Sequence, residues 1–274
     1  MLMIQELSLK IYLKLLLRQK VKPMHNKATS PVSITGSTLK LIAVITMLID
    51  HMGAALVGPL RHKLPDGSAL GDFCIMIYPH MRNIGRLAFP IFCFLLVEGF
   101  LHTRNVRKYA SRMFVFALIS ELPFDYAFSN QLLRNAHQNV YFTLLIGLLV
   151  MMGMSYFEFR EPRTKVGNYL NFLMQFFIAA VGLWMADFLH TDYNFKGVFL
   201  IIVLYSLRLD RRLQAIFGAI TISWEMYAPF AFIPVWFYNG QRGRQMKYFF
   251  YWFYPVHLLI LGFLRHVVIP HFLI

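Results

Sequence analysis

Four groups of ionisable side chains lie inside stretches of chain that are otherwise apolar, and these are the residues whose types and spacing could do chemistry. Asp50 and His51 fall near the end of the run 41–53. Adjacent residues on a helix point in different directions, so Asp50 cannot orient His51, and each needs a partner on another element. A neutral histidine there is a candidate general base, because its pKa lies near working pH; the plainer alternative is a buried structural pair. Arg82 and Arg86 are four apart, on one helical face. Pro90 cannot donate to the carbonyl of Arg86, which predicts a kink with a free acceptor beside the guanidinium. Such an arginine pair suits a phosphate or carboxylate, the alternative being snorkelling toward the outer interface, easier for Arg82 than for Arg86. Glu98 follows in the same run. Glu121 and Asp125 are again four apart, with Pro123 between them. They could hold a substrate amine or neutralise the arginines, Arg86 above all. Tyr254 and His257, three apart in the last apolar run, share a face, and His257 becomes a second deep histidine beside His51.

The elements that must position these groups follow from composition. Apolar residues make up 58% of the 274-residue chain and charged residues 15%, against about 45–50% and 25% in soluble domains. Together with twenty-seven phenylalanines, this excludes an ordinary soluble domain and predicts an all-α, polytopic transmembrane bundle. Spans of about 20 residues are expected near 39–58, 83–101, 109–128, 139–157, 168–189, 195–207, 213–239 and 247–265, about eight in all. Residues 1–38 form a separate basic segment, expected to be an amphipathic helix on the inner surface followed by a linker, and 39–274 the membrane domain. The run 213–239 is long for one pass and carries Glu225 and Pro229 near its middle. It is either a single span or a re-entrant hairpin, which would raise the count to nine or ten. An ionisable group at membrane depth costs several kcal/mol, so each one is a functional candidate.

The excess of 27 Lys and Arg over 13 Asp and Glu concentrates in the N-terminal segment and in the loops at 102–112, 158–165 and 208–212. These alternate as cytoplasmic loops should, which puts the N-terminus in the cytoplasm of a bacterial-type inner membrane and argues against nucleic-acid binding. Cys74 and Cys93 form no metal or redox spacing and read as packing residues, with no metal expected.

Several runs carry a family resemblance. They are 39–53 (LKLIAVITMLIDHMG), 84–104 (IGRLAFPIFCFLLVEGFLHTR), 108–128 (KYASRMFVFALISELPFDYAF), 139–147 (NVYFTLLIG), 192–197 (DYNFKG), 238–243 (YNGQRG) and 247–261 (KYFFYWFYPVHLLIL). In that order they resemble the TraX family, with Asn194 standing where the family pattern has a glycine. The resemblance implies a membrane acetyltransferase related to enzymes that acylate sugars. The best-known member is described as N-acetylating the amino terminus of a conjugative pilin. It implies acetyl-CoA as donor, and a protein amino terminus or a glycan as acceptor. Asp50, His51, Arg86, Glu98 and His257 are the positions it carries over. On this reading His51 removes the acceptor's proton, with Asp50 or Glu121 fixing the charge. Arg82 and Arg86 hold an anionic group or a developing oxyanion, and cytoplasmic arginines such as Arg104 or Arg242 clamp the nucleotide. Two other classes use the same residues differently. A small transporter or proton-coupled carrier would employ the buried Asp, His and Glu as relays, and a non-catalytic assembly factor would leave them without a purpose.

Overall fold

The computed structural model describes residues 33–65, 67–129, 137–161, 164–244 and 247–273; the amphipathic helix expected within 1–32 lies outside them. Helix α1 spans Gly36–Met52 and starts where Thr35 Oγ1 accepts from the Thr38 N–H. It runs on through a π-helical turn, Gly53–Val57, and one further turn, Gly58–Leu60. Helices α2 (Ala69–Gly85) and α3 (Ala88–His102) follow, then α4 (Val106–Phe128), α5 (Val140–Glu158), α6 (Lys165–Phe188) and α7 (Asn194–Ser206). Next come α8 (Arg211–Thr221), a 3₁₀ turn at Ala228–Ala231, and α9 (Phe232–Trp236). Helix α10 (Lys247–Phe263) continues through a second π-turn, Leu264–Val268, into α11 (Ile269–Leu273). Most starts carry a polar side chain that accepts an orphan N–H: Ser68, Asn105, Asn139, Thr164 and Asp210.

Among the described residues, five helices are long and apolar enough to cross a membrane: Gly36–Leu60, Ala69–His102, Val140–Glu158, Lys165–Phe188 and Tyr248–His271. Asn194–Ser206 is apolar but shorter. The protein is therefore an all-helical membrane protein. Helix α6 makes the point most directly, since only 11% of its apolar window is buried. Phe172, Leu173, Phe176, Phe177 and Trp184 all project outward, an apolar surface suited to lipid and not to water.

The expected spans at 39–58 and 83–101 leave 59–82 between them as a connection, and this needs correction. The stretch 59–82 is largely helix, not a connection, because α2 occupies Ala69–Gly85 and leads almost directly into α3. Asp72, Pro79, His80 and Arg82 dilute its hydropathy, yet Ser68 caps it and it packs along α1. The break comes at Arg86–Leu87, where Pro90 falls in the first turn of α3, a position proline tolerates.

For 213–239 the sequence leaves a single span and a re-entrant hairpin open. The Arg211 guanidinium lies 4.6 Å from the ring centres of both Phe94 and Tyr238, so the two ends of this run share one level. Tyr238 pairs with Ile34 in an isolated bridge, and the Gly36 and Ser37 N–H groups donate to the Gln241 and Arg242 carbonyls. The chain therefore enters through α8, turns at 222–227 and returns through α9. The run is a helical hairpin and not one straight helix, with its 3₁₀ turn and α9 packed on α3 and Trp224, Met226 and Tyr227 exposed at its tip.

Candidate functional site

Depth can be counted along the helices. At 1.5 Å per residue, Asp50 stands about 21 Å from Gly36, and Arg86 about 18 Å from Glu98. Both lie far along apolar segments long enough to cross a hydrocarbon layer of about 30 Å, and charges in such segments require partners.

Asp50 finds one in Arg82, whose Nη1 donates to Oδ2 at 2.8 Å. The approach is possible because residue 85 is glycine: a β-carbon there would overlap the Asp50 side chain. Asp50 Oδ1 is buried without a hydrogen bond. Arg86 pairs with Glu225 at the hairpin tip, Nε to Oε2 at 3.2 Å, so the neutralising carboxylate comes from α8–α9 and not from Glu121 or Asp125. Tyr193 stacks on Phe89 with ring centres 3.5 Å apart and lies beside Arg86. Asp192, in the loop between α6 and α7, is open to solvent and lies near Asp50, Arg82 and Arg86. Desolvation by the surrounding protein, reinforced by nearby Asp50, pushes its carboxyl up to about 6. The residue that departs from the family pattern, Asn194, has φ +46°, a left-handed conformation that glycine and asparagine adopt most readily.

His51, one residue on, belongs to a different contact. Its Nδ1 lies 2.7 Å from His257 Nε2, and His257 Nδ1 lies 2.7 Å from the Phe253 carbonyl. The rings of Phe128 and Tyr254 stand edge-on to His51.

Below the histidines, toward the end of the bundle where Gly36, Thr103 and Arg242 meet, a cavity of about 550 Å³ opens. Its mouth carries Lys40, His102, Arg104, Arg112 and Arg242. Apolar Val44, Leu95, Leu96 and Leu144 line its length, and Met47, Tyr141 and Tyr254 close its inner end. Arg112 Nε is buried there with no partner. Glu98 sits at this cavity and not in the deep ionic cluster. It accepts from Arg211 at 3.3 Å and lies 3.9 Å from His102.

Thus the structure brings Asp50, Arg82, Arg86 and His51 together with His257 and Tyr254, and places Arg104, Arg242 and Glu98 at the far end of the cavity. Glu121 and Asp125 do not pair with Arg82 or Arg86. Glu121 accepts from the backbone N–H and side-chain amide of Asn139, fixing the start of α5, and Asp125 is buried within α4 with Ser129 donating to its carbonyl. Sequence reasoning did not assign Glu225, Tyr193, Arg112 or Lys40. Each has a signal, a polar or charged residue just inside an apolar run, but the partner is set by tertiary contact.

These features define a polytopic membrane protein with a buried ionic and imidazole cluster and, on the other side of Tyr254 from His51, a cavity whose lining includes several cations. Comparison with known proteins is specific: the chain belongs to the TraX family, whose pattern, described as TraX protein, matches residues 35–265. It is similar to the probable fimbrial assembly protein FimC, serogroup H1, of Dichelobacter nodosus, with 28% identity over 253 residues, 84% of this chain and 95% of that protein. No solved structure gives a significant match.

Proposed function

We propose that this chain is a membrane-embedded acetyltransferase of the inner membrane, with its N-terminus in the cytoplasm. It takes acetyl-CoA from the cytoplasmic side and acetylates an amine or hydroxyl that arrives from the other side. With the hairpin returning to the side it leaves, the chain crosses seven times. The observation that carries this reading is the cavity. A cluster of cations at the mouth suits the phosphates of a nucleotide, a long apolar barrel suits a thin flexible arm, and the barrel ends at Tyr254, whose ring centre is 5.9 Å from that of His51. Its volume is in the range of small-molecule sites.

His51 takes the acceptor's proton, and the freed lone pair attacks the acetyl carbonyl carbon. The C–S bond then breaks, the electron pair leaves with sulfur as the CoA thiolate, and the acetyl group stays on the acceptor. Arg82 lies within electrostatic reach of His51 and is placed to offset negative charge on the carbonyl oxygen during attack. Asp50 holds Arg82 in place. The similarity to a fimbrial assembly protein supports a pilin-type amino terminus as acceptor, a sugar or other envelope component being the hydroxyl counterpart.

The test is CoA release by purified protein in detergent, supplied with acetyl-CoA and a mixture of peptide amines and amino sugars, against His51→Ala. Release by the wild type alone is expected. If acetyl-CoA is neither consumed nor raises the melting temperature, the donor assignment fails and a carrier using the same buried groups becomes the better account.

A further inference from the structure

The geometry around His257 decides where the protons of the two histidines sit. A backbone carbonyl can only accept, so His257 Nδ1, 2.7 Å from the Phe253 oxygen, carries a hydrogen. In neutral His257 the other nitrogen, Nε2, then carries a lone pair. That lone pair faces His51 Nδ1 at 2.7 Å, so Nδ1 of His51 must be the donor. The remaining nitrogen of His51, Nε2, is left bare, and it has no hydrogen-bond partner among the described residues. The ring planes agree. They are 3° from parallel with centres 5.0 Å apart, which is a ring radius on each side of a 2.7 Å gap. The imidazoles therefore lie edge to edge in one plane and form an in-plane hydrogen bond, not a face-to-face stack.

We infer that His257 is a positioning residue: it holds His51 as the Nδ1–H tautomer, with Nε2 presented as the base, and shares the positive charge once His51 is protonated. This rests on the reading of His51 as the base. The reverse arrangement would require both nitrogens of His257 to carry hydrogens, adding a cation to a buried site already near Arg82. When Nε2 takes the acceptor's proton, the Nδ1 proton can move to His257 Nε2, and the imidazolium then resides on either ring. The chain ends on a neutral carbonyl and not on a carboxylate. Spreading the charge over two rings is thus the means the site has of tempering an unpaired cation at this depth.

The test is nitrogen NMR of histidine-labelled protein in detergent, with the His51 signals identified by their loss in His51→Asn. In the wild type, His51 should show a protonated Nδ1 and a bare Nε2, opposite to the tautomer that free imidazole side chains favour in water. In His257→Leu the signals should move to the Nε2–H form. His257→Gln, whose amide oxygen can accept from His51 but cannot take up a proton, should keep the Nδ1–H form. Where acetyl transfer is measured, the Leu variant should lose about 10²–10⁴-fold in kcat with little change in KM, and the Gln variant should recover part of it. A wild-type His51 carrying its proton on Nε2, or a tautomer unmoved in His257→Leu, overturns the inference. Because NMR needs no acetyl-CoA, this result is independent of whether the transfer reaction itself is found.

Discussion

Replacing Gly85 by alanine places one methyl group where α1 and α2 come closest. That methyl would overlap Cβ, Cγ and Oδ1 of Asp50 by roughly an ångström or more relative to ordinary carbon contact. Cβ is fixed to the α1 backbone, so no rotamer of Asp50 relieves the overlap and the helices must separate or shift. A displacement of that size takes the 2.8 Å Asp50–Arg82 bond to the edge of ion-pair range. Overpacking of this kind costs about 1–3 kcal/mol, and carrying His51 about 1 Å off its position can cost ~10²-fold in turnover. The assay is a thermal melt in detergent together with CoA release. The same substitution in an Asp50→Gly background should cost far less stability, because both the clash and the ion pair are already gone. If Gly85→Ala melts and turns over like the wild type, the close approach of α1 and α2 does not hold the deep charges, and the reasoning fails.

Three further expectations can be checked separately. A double-mutant cycle of Arg86→Ala and Glu225→Ala, read from thermal melts, should give a coupling of about 1–3 kcal/mol, since they join the hairpin tip to the α2–α3 junction; a coupling near zero would mean the tip is held by packing alone. In a background with Cys74 and Cys93 replaced by alanine, Leu209→Cys and Gln241→Cys should react with an impermeant maleimide from one side and Lys63→Cys from the other. Labelling of Gln241→Cys from the Lys63 side would turn the hairpin into a span. Arg104 is exposed and Arg112 Nε buried, so Arg104→Ala should raise the KM for acetyl-CoA modestly and only at low salt. Arg112→Leu should raise it about tenfold or more with little salt dependence.

The membrane character was legible because lipid imposes long apolar runs, whereas the starts expected at 39, 109 and 213 fall inside helices whose caps are Thr35, Asn105 and Asp210. Helix α2 was not, since its polar face lowers the hydropathy that was being counted, and that face is the one that carries Arg82 to Asp50. The residues of the candidate site could be listed from their types alone, but their pairing could not. Glu121 and Asp125 had the spacing to neutralise Arg86, yet Glu121 goes to Asn139, and Glu225 reaches Arg86 because α8 is eleven residues long and turns back at that depth. Helical spacing governs pairs within an element; these pairs join different elements, Glu121 and Asn139 being 18 positions apart and Asp50 and Arg82 32. His51 and His257, 206 residues apart, show the same limit.

The blind end of the cavity has a consequence for the membrane as an electrical barrier. A passage that carried a donor from one face and an acceptor from the other would, if continuous, conduct protons and small ions down the gradient that energises the cell. Met47, Tyr141 and Tyr254 line the cavity, and Tyr254 also touches His51, so on the proposed reading these side chains would form a plug that keeps the bilayer insulating while leaving one reactive nitrogen within reach. Trimming Tyr254 to alanine would then harm a cell in a way that mere inactivity would not, by letting its membrane potential run down.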